Sequence, residues 1–209
     1  MSQPFNIAHI ETSSFIYGPG ERFVIWVQGC TLGCRGCWNK TMLSKRPKQL
    51  IAREKLLQQI LDIDSIQGIT LLGGEPLQQL SNVFWLLQQV KSVDLDTMVF
   101  TGYEWQEIIN DEKAKILPFT DILVSGRYVA NLRNINLQWR GSSNQQIHFP
   151  TAQYDASLIK EGNYVEVHFE ADGRMRILGF PEIEEIRFFE KIGFIEYPSG
   201  NSFNNQKIS

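Results

Sequence analysis

A chain of 209 residues with 43% hydrophobic and 21% charged residues has the composition of an ordinary globular protein that can bury a sizeable core. Its net charge of −3 and pI near 5.7 give no electrostatic reason to expect direct nucleic-acid binding or attraction to an anionic membrane. The first residues lack a charged segment followed by an apolar one, and no apolar run is long enough to span a bilayer, so we expect a cytoplasmic protein without a membrane partner.

The first 150 residues predict strands that alternate with helices. Apolar runs predict strands at 5–10, 22–28, 68–72, 97–101 and 121–124, and helical spacing of apolar residues predicts helices at 51–63, 77–93 and 105–116. This order favours an α/β fold with a parallel sheet and right-handed crossovers.

The pattern changes after residue 130. A polar, irregular stretch precedes a short predicted strand at 145–149. Strands at 164–169 and 175–178 form a predicted β-hairpin through Ala171-Asp172-Gly173. A final helix is predicted to begin at Pro181 and end before Gly193, ahead of a frayed tail from Pro198. We therefore expect a domain at 1–150 and an extension at 151–209 that packs on it. The extension could dock a partner, cover an open edge of the sheet or complete the core.

All three cysteines, Cys30, Cys34 and Cys37, lie in one loop with the spacing C-x3-C-x2-C, directly after a buried strand. Three thiolates cannot fill a four-coordinate shell, so another group must supply the fourth ligand. A [4Fe-4S] cluster would leave one iron free to bind a substrate or cofactor. The alternatives are a zinc site, which lacks a nearby fourth Cys or His, and a disulfide with one free thiol, which a reducing compartment disfavours.

Unusual short segments follow each of the central predicted strands. They are the cysteine loop, Gly73-Gly74-Glu75-Pro76, Thr101-Gly102-Tyr103-Glu104 and Ser125-Gly126-Arg127. Ligands of parallel α/β sheets collect at the carboxyl ends of the strands, so these segments are expected to form one site.

The individual residues leave several interpretations open. Glycines at 73 and 74 allow close backbone approach to a ligand, and Glu75 could hold an ammonium group, or the segment could be a simple strand-to-helix turn. Trp38 suits stacking on a nucleobase or core packing. Arg127 and Arg140 could clamp a carboxylate or phosphate, or lie solvated in loops.

These motifs together resemble the radical S-adenosylmethionine (SAM) superfamily, and more narrowly the activating enzymes of anaerobic ribonucleotide reductase and other glycyl-radical enzymes. The resemblance covers residues 17–149. It rests on Gly18-Pro19-Gly20-x-Arg22, Trp26-Val27-Gln28-Gly29-Cys30, Cys34-Arg35-Gly36-Cys37-Trp38-Asn39, Gly73-Gly74-Glu75-Pro76-Leu77, Thr101-Gly102-Tyr103-Glu104 and Arg140-Gly141-Ser142-Ser143-Asn144-Gln145.

The resemblance implies an incomplete (β/α) barrel of radical SAM type in which Cys30, Cys34 and Cys37 bind a [4Fe-4S] cluster. The fourth iron would chelate the amino and carboxylate groups of SAM. The implied SAM-binding residues are Gly36 and Trp38 beside the adenosine, and Gly73, Gly74, Glu75 and Pro76 around the methionine amino group. Further candidates at the same face are Thr101, Tyr103, Ser125, Arg127 and Arg140.

The implied reaction is reductive cleavage of SAM to a 5′-deoxyadenosyl radical, which takes a hydrogen atom from a glycine of a partner enzyme. The partner would be a glycyl-radical enzyme, foremost an anaerobic ribonucleotide reductase, and the electron would come from a donor such as flavodoxin. A radical SAM enzyme acting on a small molecule or nucleotide, and a noncatalytic three-cysteine metal module, are the alternatives.

The chain departs from the resemblance at three places. Gly36 stands where many superfamily members have an aromatic residue, with Trp38 after the third cysteine instead, as in the reductase activases. Glu75 stands where those activases often carry Asp. The residues from Thr151 onward exceed what a minimal activase requires.

Overall fold

A computed structural model describes residues 3–162, 164–169, 171–172, 175–182, 184–185, 187–188 and 195–196. The strands are β1 (Phe5–Ser14), β2 (Arg22–Val27), β3 (Gln49–Ile51), β4 (Gly68–Gly73), β5 (Asp96–Phe100), β6 (Ile122–Ser125), β7 (Gln146–His148), β8 (Val165–Phe169), β9 (Met175–Gly179) and β10 (Ile195–Glu196). The α-helices are α1 (Arg53–Leu61), α2 (Leu80–Lys91) and α3 (Trp105–Ile109). Short 3-10 helices lie at Lys40–Met42, Pro76–Gln79, Glu112–Phe119, Ala130–Leu132 and Ala156–Leu158.

Seven strands form one sheet in the order β3-β1-β2-β4-β5-β6-β7. The four central strands, β2, β4, β5 and β6, pair in parallel, and antiparallel strands flank them on both sides. The predicted α/β fold with a parallel sheet is thus confirmed for the four central strands, whereas the flanking strands are antiparallel. Because the four central strands run in one direction, their carboxyl ends lie at the same edge.

The two faces of the sheet are covered differently. On one face, Ile25 of β2 and Leu71 of β4 belong to a large apolar core with Leu56 of α1 and Leu87 of α2. On the opposite face, Trp26 and Leu72 pack with Met42 and with Leu178 of β9. All six residues of β2 are buried, as expected of a strand covered on both faces.

Several predicted bounds were wrong. β1 extends to Ser14 rather than Ile10, and β3 was missed because its pairing with β1 is a long-range contact. The helix predicted at 105–116 ends at Ile109, and a 3-10 helix follows from Glu112. The Asp111 side chain accepts a hydrogen bond from the Lys113 backbone N–H, which begins a new helical turn where apolar spacing alone predicts continuity.

Arg22 is fully buried at the amino end of β2, opposite the edge that carries the cysteines. Its guanidinium donates to Thr70 Oγ1 (2.8 Å) and to the carbonyl oxygens of Ile69 (2.7 Å) and Pro19 (3.0 Å). Burial lowers the pKa of Arg22 to about 10, so the group stays charged at neutral pH. A Cβ on Gly18 would lie 2.4 Å from Arg22 Cδ. Arg22 of the Gly18-Pro19-Gly20-x-Arg22 motif therefore links the amino ends of β2 and β4 through side-chain hydrogen bonds.

The hairpin predicted after residue 160 is present, with β8 and β9 antiparallel. Its turn residues 170, 173 and 174 lie outside the described residues, as do half of the helix predicted from Pro181 and all of the tail from Pro198. The hairpin contacts the main sheet, because the backbone N–H of Gly179 donates to the Tyr17 hydroxyl at 2.8 Å and Ser14 Oγ donates to the Glu166 carboxylate. Within the described ranges, no helix has both the length and the apolar character needed to cross a bilayer.

Candidate functional site

The carboxyl ends of β2, β4 and β5 border one cavity of about 260 Å³. Cys30, Cys34 and Cys37 line it, as do Glu75 and Thr101 from the segments after β4 and β5. Gly126 from the segment after β6 lines it as well, so the structure brings together all four segments that the sequence expects to meet. Of the remaining candidates, Gly73, Gly74, Trp38 and Arg140 also line the cavity.

The cysteine loop is held at its base and built from glycine turns. Backbone N–H groups of Gly29 and Cys30 donate to the carbonyl oxygens of Met42 (2.8 Å) and Leu43 (3.0 Å). Gly33 and Gly36 have φ of 67° and 79°, a region that disfavours side chains. Gly36 does not line the cavity among the described contacts, and a Cβ there would lie 2.9 Å from Ala130 Cβ. Gly36 thus lets the loop pass close to the segment after β6.

All three thiols are partly exposed. Burial raises the pKa of Cys30 and of Cys37. Both are therefore protonated at neutral pH until a cation replaces the proton, which is the usual coupling between thiol ionisation and metal binding.

The donor set fits a cluster better than a single ion. Within the described residues, no three His, Cys, Asp or Glu side chains are grouped closely enough to hold one metal ion. A cubane does not need such a group, because each cysteine binds a different iron atom. The three histidines, His9, His148 and His168, are all described, and none lines the cavity.

Gly73 and Gly74 lie where the backbone after β4 contacts the end of β2 so closely that a side chain would not fit. A Cβ on Gly74 would lie 2.4 Å from the Gly29 carbonyl oxygen, and one on Gly73 would lie 2.8 Å from Trp26 Cα. The backbone N–H groups of Gly74 and Glu75 donate to Val27 (2.8 Å) and Gly29 (2.9 Å). The glycines therefore let the ends of β4 and β2 touch, while close approach to a ligand stays a prediction for both cavity-lining residues.

Glu75 is 1% exposed, and its carboxylate accepts three hydrogen bonds from the protein. Oε1 accepts from Thr101 Oγ1 (2.8 Å) and from the Leu77 N–H (2.9 Å), and Oε2 accepts from the Gly102 N–H (2.8 Å). Burial raises its pKa to about 7, against the lowering effect of these bonds. A carboxylate offers about four acceptor positions, so one further donor can be bound. Glu75 both caps the helix that Pro76 begins and faces the cavity.

Trp38 belongs to an aromatic wall of the cavity. Its ring centroid lies 4.4 Å from that of Phe180, at an interplanar angle of 65°. Tyr128 contacts the same Phe180 ring at 6.4 Å. Trp38 therefore has a packing partner and also borders the cavity, while stacking on a nucleobase stays a prediction.

Four further candidates do not line the cavity, according to the described contacts. Ser125 Oγ is bonded to His148 Nε2 at 2.8 Å, and Arg127 forms an ion pair with Glu107. The Tyr103 ring lies 4.5 Å from Lys113 Nζ. Pro76 is buried at the start of its 3-10 helix. These residues support the strand ends rather than face the cavity.

Several lining residues were not predicted from the sequence, among them Asn39 and three residues from the hairpin region. Asn39, next to Trp38 in the cysteine motif, lines the cavity and binds Gly73. Tyr164, Ile177 and Phe180 reach the cavity from the hairpin. Position in the motif could have identified Asn39, whereas the hairpin residues carry no local signal because long-range packing places them.

Comparison with known proteins identifies related sequences. A family model described as a 4Fe-4S single cluster domain matches residues 16–148. The anaerobic ribonucleoside-triphosphate reductase-activating protein of Vibrio cholerae is 35% identical over 141 residues, which are 64% of this chain and 90% of that protein. Its counterpart in Haemophilus influenzae is 37% identical over 142 residues, with the same coverage. The one in Enterobacteria phage T4 is 35% identical over 150 residues, which are 68% of this chain and 92% of that protein.

Among solved structures, QueE from Escherichia coli aligns with 48% of this chain and 52% of its own at 18% identity. The TM-score of 0.34 is too low to support an argument about the fold. The family match ends before β8, so the hairpin lies beyond it.

Proposed function

The chain belongs to the family of anaerobic ribonucleoside-triphosphate reductase-activating proteins, and on that premise we propose that it generates a glycyl radical in an anaerobic ribonucleoside-triphosphate reductase. The observation that carries the proposal is the convergence of the cysteine loop, Glu75 and Thr101 on one cavity at the carboxyl ends of parallel strands.

In this proposal Cys30, Cys34 and Cys37 hold a [4Fe-4S] cluster, and SAM binds beside it in the cavity. When bound, these cofactors supply one-electron cleavage of the sulfonium to methionine and a 5′-deoxyadenosyl radical, which takes a hydrogen atom from a glycine Cα of the partner. The remaining work belongs to this chain: binding, orientation and exclusion of water.

We assign the residue roles from their contacts. Glu75 accepts a hydrogen bond from the methionine ammonium through its remaining acceptor position, and Thr101 orients the carboxylate. Trp38, supported by Phe180, packs against the adenosine. The hairpin residues that line the cavity exclude water from the reacting atoms.

We also propose that the central sheet is an incomplete (β/α) barrel formed by residues 1–150, on which 151–209 packs as an extension. The four parallel strands with helices on one face, and the contact between Tyr17 and Gly179, support this division. The extension covers the cavity, which is the role that the lining residues of β9 favour.

The reaction needs an external electron. The chain has three cysteines, all in one loop, which suffice for one cluster. We therefore propose a one-electron donor protein such as a flavodoxin. We place the reaction in the cytoplasm, where thiols stay reduced.

The test is anaerobic. The protein is reconstituted with iron and sulfide, reduced with dithionite and given SAM. The reaction is run with and without an anaerobic ribonucleoside-triphosphate reductase. Formation of 5′-deoxyadenosine and the EPR signal of the glycyl radical are measured. A glycyl signal that requires both this protein and SAM supports the proposal. Cleavage without a glycyl signal points to a small-molecule substrate, and no cleavage by cluster-loaded protein leaves a metal-binding module.

A further inference from the structure

The cavity has one basic side chain in its described lining, Arg140, and one acidic side chain, Glu75. The two side chains differ in their hydrogen-bond partners. Three donors from the protein already bind the Glu75 carboxylate. Arg140 Nε is buried, and the described part of the chain provides it with no hydrogen-bond acceptor and no ion-pair partner. A buried N–H of a charged group without an acceptor is costly, so a partner from outside the chain is expected.

Side-chain hydrogen bonds of Asn144 and Gln145 hold the segment around Arg140 against the end of β6. Gln145 Oε1 accepts from the backbone N–H groups of Gly141 (2.8 Å) and Ser142 (3.2 Å), and its amide donates to the Gly126 carbonyl (3.0 Å). Asn144 Nδ2 donates to the Arg127 carbonyl at 2.8 Å. The amide side chains of this motif thus hold the loop, while Arg140 is presented on the cavity wall.

We propose that Arg140 binds the α-carboxylate at the methionine end of SAM. The inference deepens the proposed function and rests on it, because SAM must be the ligand. The methionine end carries one ammonium and one carboxylate, and the cavity offers one carboxylate and one guanidinium to match them. The planar guanidinium donates two parallel hydrogen bonds to a carboxylate, which a lysine cannot reproduce.

The neighbouring arginines are already engaged elsewhere. Arg127 pairs with Glu107, with Nη2 2.9 Å from Oε1. The Arg133 guanidinium lies 4.6 Å from the Phe180 ring centroid and donates to the Pro181 carbonyl at 3.2 Å. Neither lines the cavity among the described contacts, so Arg127 is a matched control for Arg140.

The experiment compares two ligands and four proteins. Equilibrium dialysis under anaerobic conditions measures the affinity of cluster-loaded wild type, R140Q, R140K and R127Q for SAM and for decarboxylated SAM. The analogue also lacks the iron-chelating carboxylate, but this loss affects every protein alike, so comparison between proteins isolates Arg140. Iron content and circular dichroism verify that each variant is folded and loaded.

We expect R140Q to weaken SAM binding roughly tenfold or more and to leave the affinity for the analogue unchanged. R140K should recover part of the loss, and R127Q should bind both ligands like wild type. Equal weakening for both ligands, or no weakening for either, overturns the assignment of Arg140. Wild-type protein that binds and cleaves SAM while R140Q binds it equally well overturns this inference alone. A wild type that binds no SAM overturns the proposed function as well.

Discussion

Asn39 Nδ2 donates a hydrogen bond of 3.1 Å to the carbonyl oxygen of Gly73 and so connects the cysteine loop to the end of β4. The backbone N–H of Asn39 also bonds to the Cys37 sulfur, which opposes the raised pKa of that thiol. One residue therefore contacts both the expected cluster ligand and the segment proposed to bind the methionine end of SAM.

Replacing Asn39 by Ala removes the side-chain bond and keeps the backbone N–H. We expect iron content to stay at the wild-type level and SAM affinity to fall about fivefold to tenfold, the value of one hydrogen bond. Iron analysis and equilibrium dialysis measure the two quantities. Asn110→Ala, at an exposed site beyond α3, is the control. Unchanged SAM affinity in Asn39→Ala would contradict the positioning role.

Gly74→Ala tests why the glycine pair is present. The added Cβ would lie 2.4 Å from the Gly29 carbonyl oxygen and push the base of the cysteine loop away. We expect loss of stability by about 1–3 kcal/mol together with lower iron content. Urea unfolding and iron analysis are the measurements. A stable, fully loaded variant with weak SAM binding would instead indicate that the glycine makes room for the ligand.

The raised pKa of Glu75 predicts a pH dependence of stability. The ordinary value of 4.5 rises to about 7 in the folded protein, so the folded state binds more protons between these values. The stabilisation is fully present below pH 4.5 and is lost as pH rises through 7, by about 3 kcal/mol. Urea unfolding of reduced, metal-free protein across this range should show the decline.

Glu75→Gln should remove most of that decline, whereas Glu112→Gln, at an exposed position, should retain it. The same pH profile for wild type and Glu75→Gln would mean that Glu75 does not titrate in this range.

The hairpin offers a matched pair of phenylalanines. Phe180 contacts Trp38, and Phe169 on the same hairpin is 77% exposed. We expect Phe180→Ala to weaken SAM binding roughly threefold to tenfold, because Trp38 loses its aromatic partner. Phe169→Ala should behave as wild type. Trp fluorescence and equilibrium dialysis follow the effect, and equal behaviour of the two variants would argue against the hairpin as a wall of the site.

Local sequence signals predict the parts of this protein that local chemistry determines. The sequence alone reveals the apolar run of β2, the cysteine loop after it and the helical spacing in α2. The break between α3 and the next helix depends on one side-chain cap at Asp111, which apolar spacing does not reveal. The sequence points to four strand-end segments, and all four reach the cavity. The fourth does so through Gly126, because the Ser125 side chain pairs with His148 instead.

Contacts between distant residues could not be predicted. The bond between Tyr17 and Gly179 joins positions 162 apart, and nothing near either residue indicates it. For the same reason, the hairpin's contribution to the cavity appears only in the fold.

The distance along the chain between Cys37 and Phe180 has a consequence for biosynthesis. About 140 residues must be added after the last cysteine before the aromatic partner of Trp38 exists, which takes roughly 7 to 30 seconds at the usual rate of translation. During that interval the three thiols have no completed wall beside them. A cluster assembled in that interval would lack this wall, so we expect cluster assembly to follow completion of the chain.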